Sequence, residues 1–265
     1  MRLAIGLLIG GIALVSSCGS TKEAVVEPIV STIITGKAER INLSVNSTDS
    51  ATCAIEYSYF TSSDLAYRDS INQKVADFAI NVTQFGRNQE KKILSQAFFQ
   101  AQLDSFVRIN RYDMDETGDD GYNHLWELEA YVEIDDSRDK FAQLQLTAWS
   151  YTGGAHGNGF TSTYLINKSD AKTLKLEDLF SNIEAVTKIG EGYFRKLYEL
   201  ESDVDLDDAG FWFENNTFHL NNNFSISGDV IVFLYNSYEI APYSGGQTEI
   251  EIPLEELKDY LKIKL

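Results

Sequence analysis

From Leu125 onward the chain alternates strictly between apolar and polar residues. In LWELEAYVEID, Trp126, Leu128, Ala130, Val132 and Ile134 fall on one face, and Glu127, Glu129, Tyr131, Glu133 and Asp135 on the other. A period of two with one apolar face predicts a strand with one side in the core and the other in water. FAQLQLTAW repeats the pattern with Ala142, Leu144, Leu146 and Ala148 inward. The Asp-Asp-Ser-Arg-Asp run between them predicts a hairpin, and FTSTYLIN the strand that follows. Upstream, KAERINLSVNS and ATCAIEYSYF predict a second hairpin across Asn-Ser-Thr-Asp-Ser.

Between these strand groups the spacing becomes helical. Ile71, Val75, Phe78, Ala79, Val82 and Phe85 predict a helix over 71–85, with Gly86 as its stop. A second helix is predicted from Gln89 to Val107, with Ile93, Leu94, Ala97, Phe98, Ala101 and Phe106 as its buried stripe. A third spans Ile183 to Leu200. FWFE, NNFSIS, VIVFLY and TEIEIP then read as strands, and LEELKDYLKI as a short closing helix. Strands and helices are grouped rather than alternated. This predicts an α+β fold of antiparallel sheets packed with two to four helices, in two subdomains over 37–138 and 139–265.

The first seventeen residues, MRLAIGLLIGGIALVSS, carry one cation at Arg2 and an apolar run from Leu3 to Val15 that is short for a bilayer span. Small residues lead into Cys18. This is the form of a bacterial lipoprotein signal peptide (1–17), with Cys18 as the lipidation site and 18–36 as a tether. The expected location is the cell envelope, anchored through the lipid rather than spanning. Ser20, in the place where aspartate marks the inner membrane in enterobacterial sorting, favours the outer membrane, at its periplasmic face or the cell surface. Cys53 is then the one cysteine left, so no internal disulfide is expected.

Forty acidic residues against 22 basic ones give a net charge of −18. Such a charge excludes nucleic acid as a partner and favours cationic proteins or metal ions.

Catalytic motifs are sparse. There is no G-x-S-x-G, no phosphate loop, no dinucleotide fingerprint and no H-E-x-x-H, and the three histidines stand apart in sequence. One stretch does stand out: YTGGAHGNG, with four glycines and His156 in nine residues. Tyr151, Thr152, Gly153, Gly154, His156 and Gly157 form a candidate binding loop between two strands. A histidine there is able to act as acid or base, but the glycines point to turn geometry, and no other catalytic signature accompanies it. Tyr238, Pro242, Tyr243 and Gly245 form a candidate second loop. In DVDLDDAGFWFE, Asp203, Asp205, Asp207 and Glu214 hold positions one, three, five and twelve of a calcium loop, but Asp208 stands where that loop needs glycine. DMDETGDDG, residues 113–121, has similar spacing and reaches His124 at position twelve. Both read as solvated acidic loops, so no metal and no cofactor is expected.

WSYTGGAHGNGFTSTYLIN with LKLEDLF, and NNFSISGDVIVFLYNSYEIAPYSGGQTEIEIPLEELKDYL, together carry a family resemblance. From about Lys37 to Leu261 the chain resembles the paired domains of unknown function in the extracellular region of the anti-sigma factor RsiV and in the N-terminal part of the peptidoglycan deacetylase PdaC. The resemblance implies an envelope location, an α+β fold, and binding of a lysozyme-like protein or cell-wall glycan. It brings over neither the sigma-binding segment nor the deacetylase domain. The expected function is therefore a non-enzymatic binding lipoprotein. The alternatives are an enzyme acting on cell-wall carbohydrate through His156 and a carboxylate, or a structural or calcium-dependent adhesion lipoprotein.

Overall fold

The computed structural model describes residues 32–43, 50–62, 64–84, 93–117 and 125–263. Cys18, the signal peptide and most of the tether lie outside the described residues, as do Phe85, Gly86 and the 118–124 end of the first acidic stretch.

Five strands, β1 (Ile33–Leu43), β2 (Ser50–Phe60), β3 (Leu125–Asp135), β4 (Phe141–Tyr151) and β5 (Asn158–Asn167), form one sheet in chain order. Helices α1 (Ala66–Gln84) and α2 (Gln96–Thr117) lie between β2 and β3 in sequence. They pack on the side of the sheet that presents Cys53, Ile55 and Tyr57, Leu128, Ala130 and Val132, and Ala142, Leu144, Leu146 and Ala148. The alternation read from the sequence is therefore the core pattern. One difference is that β2 and β3 run parallel. Two helices between them give the long crossover that a parallel pair needs, where a tight turn imposes antiparallel pairing. The other neighbouring pairs of this sheet are antiparallel.

A second sheet of three antiparallel strands, β6 (Phe224–Ser227), β7 (Val230–Tyr235) and β8 (Thr248–Pro253), packs with α3 (Leu176–Leu179), α4 (Ile183–Leu197) and the closing α5 (Leu254–Leu257) around a second core. Its centre is Phe194 of α4, fully buried among Tyr198, Phe211, Phe213 and Phe218, with ring centroids 4.8–5.3 Å away.

Several expectations shift. The division at 138/139 does not follow the sheets, because β4 and β5 belong to the first one. They also serve both cores: Ala142, Leu144 and Ile166 face the helices while Phe141 and Leu165 face the second core. The second helix begins at Gln96, where the Ser95 hydroxyl accepts from the Phe98 N–H at 3.1 Å as a cap. Ile93 consequently precedes the helix and is 92% exposed. The buried stripe runs through Phe98, Phe99, Leu103 and Phe106, leaving Ala97 and Ala101 exposed. FWFE is not a strand, although its alternation is real: Phe211 and Phe213 are buried and Trp212 is exposed. The hydrogen bond from the Trp212 N–H to the Ile240 carbonyl replaces a ladder. LEELKDYLKI forms one helical turn and a 3-10 turn, Lys258–Tyr260, rather than a longer helix.

The free edge of β5 determines how the two cores meet. Thr161 and Thr163 turn their backbone groups away from β4, and side-chain amides, not a strand, satisfy them. Asn236 accepts from the Thr161 N–H at 2.8 Å and donates to its carbonyl at 3.1 Å, while Asn223 accepts from the Thr163 N–H and donates to the Thr161 carbonyl, both at 2.8 Å. A bare edge invites unwanted pairing. Here Asn223 and Asn236, at either end of the β6–β7 hairpin, cover it.

Cys53 is buried in the first core, and burial pushes its thiol up to about 12. A thiol reagent needs a thiolate and access. Iodoacetamide at pH 8 is expected to leave Cys53 unmodified in the native protein and to alkylate it after denaturation. Mass spectrometry of the intact chain checks this.

Candidate functional site

The two loops singled out in the sequence meet. The first, 152–157, joins β4 to β5. The second, 236–247, joins β7 to β8. The Tyr151 hydroxyl donates to the Gly154 carbonyl at 3.0 Å and closes the first loop on itself. Gly153 and Gly154 have φ of 95° and 91°, a region that side-chain-bearing residues avoid. Gly157 is required for a different reason. A Cβ there would lie 2.4 Å from Cζ2 of Trp149, so the glycine lets the backbone press against the indole ring.

That contact turns His156 outward. Its Nδ1 lies 2.8 Å from the Gly157 carbonyl, and since a carbonyl only accepts, Nδ1 carries the proton. Nε2 then accepts from the Tyr238 hydroxyl at 3.3 Å. The imidazole stacks on Tyr243, with centroids 3.8 Å apart and planes 11° from parallel. Tyr238 and Tyr243 are themselves 5.6 Å apart, so the three rings form one cluster.

The second loop is built to deliver those tyrosines. Tyr238 is half-exposed and adopts φ 68°, the left-handed region, where a bulky residue is strained by about 1 kcal/mol. Pro242 precedes a 3-10 turn, Tyr243–Gly245, whose last N–H returns to the Pro242 carbonyl at 2.8 Å. Asn236 locks this loop to the first sheet. Besides its two bonds to Thr161, its Oδ1 accepts from Gln247 at 3.0 Å and its N–H donates to Glu239 at 2.8 Å. One asparagine therefore bonds both flanks of the second loop to the strand that leaves the first.

Residues that the sequence did not single out add to the rim. Trp149, 36% exposed, lies against Gly157. Trp212, 51% exposed, is held beside the second loop by its bond to Ile240. Its position as the outward residue of a buried–exposed–buried aromatic triplet was the signal available in sequence. Asn236 gave no such signal, because only the fold brings it to Thr161.

Both nitrogens of His156 are engaged, by a carbonyl and a phenol, and among the described residues no carboxylate hydrogen-bonds to it. Among the described residues no three His, Cys, Asp or Glu side chains converge on a cation position. Asp205 instead accepts from the Asp208 N–H and the Asn216 amide, fixing the turn that carries Asp203 and Asp207. No helix among the described residues is long and apolar enough to cross a membrane.

Comparison with known proteins gives three findings. Residues 44–159 match the family model described as Deacetylase PdaC, and residues 177–255 match that of a protein of unknown function, DUF3298. The fold is shared with a solved DUF3298 family member from Bacteroides fragilis, at TM-score 0.70 and 21% identity over 88% of this chain and 94% of the other. It is also shared with one from Pseudomonas aeruginosa, at TM-score 0.55 and 17% identity over 89% and 95%. No curated protein matches.

Proposed function

Starting from a chain that carries the paired PdaC and DUF3298 domains, we propose that it is a cell-envelope binding module whose two-loop rim holds a lysozyme-like protein or a cell-wall glycan without catalysing a reaction on it. The observation that carries this reading is the stack of His156 on Tyr243. It joins a loop of the five-stranded sheet to a loop of the three-stranded sheet in one surface and leaves Tyr238 projecting in a strained conformation. Exposed rings beside hydrogen-bonding groups suit either a sugar face or an apolar protein contact. The net charge of −18 would draw a basic hydrolase towards this surface from a distance. Lipidation at Cys18 would hold the module at the membrane, the outer membrane being the one that Ser20 favours.

The test is binding of hen lysozyme and of soluble peptidoglycan fragments by wild type and by Tyr243→Ala. Loss of the stack removes one wall of the rim, and affinity for the cognate ligand is expected to fall by about tenfold or more. Melting temperature should change little, since Tyr243 is partly exposed. Equal affinities for wild type and variant would rule the rim out as the binding surface. Turnover of either ligand, abolished in His156→Ala with affinity retained, would establish the catalytic alternative instead.

A further inference from the structure

On the opposite face of β5 from the asparagine-capped threonines lies a cavity of about 240 Å³ between α1 and strands β4 and β5. Its walls include Lys74, Asp77 and Asn81 of α1, and Phe160, Ser162 and Tyr164 of β5. Lys74 is half-buried, with its ammonium 4.3 Å from the centroid of the Tyr164 ring. Among the described residues it makes no hydrogen bond and no ion pair, and the side chains of Asn81 and Ser162 are likewise unengaged. In a chain with 40 acidic residues, a half-buried cation that forms an ion pair with none of the described ones is a departure from the pattern. Asp77, three residues along and lining the same cavity, is exposed and accepts from Gln73 at 2.9 Å; its charge favours the ammonium without forming an ion pair with it. Burial lowers the ammonium's proton affinity, and the Asp77 carboxylate offsets this only in part.

An ammonium, a carboxamide and a hydroxyl lining one small cavity all donate hydrogen bonds. Phe160, 39% exposed and edge-on to Phe78 at 6.1 Å, supplies an apolar wall beside them. We propose that this cavity binds a small ligand bearing a carboxylate on a flat or apolar body. The carboxylate would sit against Lys74, Asn81 and Ser162, with the body against Phe160. The site is separate from the two-loop rim and does not depend on what the rim binds.

Saturation-transfer NMR on the full-length protein tests this with benzoate and its uncharged isostere benzamide as probes. Benzoate is expected to bind, and benzamide about tenfold more weakly, because only the carboxylate gains a charge-assisted bond. Lys74→Gln should weaken benzoate about tenfold and leave benzamide unchanged, while Lys74→Arg should retain most of the benzoate affinity and show that the site is intact. Phe160→Ala should weaken both probes. Absence of benzoate binding, equal affinity for the two probes, or equal benzoate affinity in wild type and Lys74→Gln would overturn the proposal. So would benzoate binding lost in Tyr243→Ala and kept in Lys74→Gln, which would assign the probe to the rim.

Discussion

Phe194→Ala is expected to destabilise the protein by about 3–5 kcal/mol, the range for deleting a fully buried aromatic ring. Phe194 has no exposed surface and four aromatic rings around it. Those rings come from the residue that caps the end of α4 and from the irregular segment that carries Trp212, so they have little freedom to collapse into the space left. In a domain of this size the loss corresponds to a fall in melting temperature of roughly 6–20 °C. The variant should also alter the second loop, because Trp212 is bonded to Ile240 within it. Thermal unfolding followed by circular dichroism measures the first effect. A shift under 2 °C would mean that the second core is not organised around this ring.

Asn236→Ala is expected to act on both stability and binding. It strips the buried Thr161 N–H of its acceptor, which costs about 1–3 kcal/mol. The Thr161 carbonyl keeps Asn223 as a donor and is spared. More importantly, the second loop loses its tie to β5, and His156 and Tyr243 are no longer held in register. Ligand affinity should therefore fall by more than the change in stability alone would bring, since Asn236 does not belong to the ring cluster itself. Asn236→Asp keeps the acceptor for Thr161 and Gln247 but sets a carboxylate oxygen against the Thr161 carbonyl and near Glu239, so it is expected to lose stability as well. Equal binding by Asn236→Ala and wild type would show that the two loops do not need each other.

How much of this was legible in the sequence follows from the range of each interaction. The faces of β3 and β4 were readable residue by residue, since alternation is local and Leu128, Ala130 and Val132 had nowhere else to go. The helix over Ile71 to Val82 was readable for the same reason. The parallel pairing of β2 with β3 was not, because nothing within a strand records which neighbour it will find. The start of α2 was missed because Ile93 and Leu94 mimic helical spacing while Ser95 supplies the cap. FWFE showed a strand's alternation without a strand's partner. At the candidate site, the glycines around His156 marked a shaped loop, and the Tyr238–Gly245 segment a second one. Their contact depends on Asn236 crossing 75 positions to reach Thr161, which no local pattern encodes.

Calorimetric titration of the chain from Ser20 onward, with lysozyme and with soluble peptidoglycan fragments across a salt series, tests the central claim most directly. Attraction by net charge alone fades as ionic strength rises. The two-loop rim predicts one-to-one binding of one of these ligands that survives high salt and is lost in the His156→Ala, Tyr243→Ala double variant. Binding of both ligands that disappears with salt, or salt-resistant binding left untouched by the double variant, would contradict it.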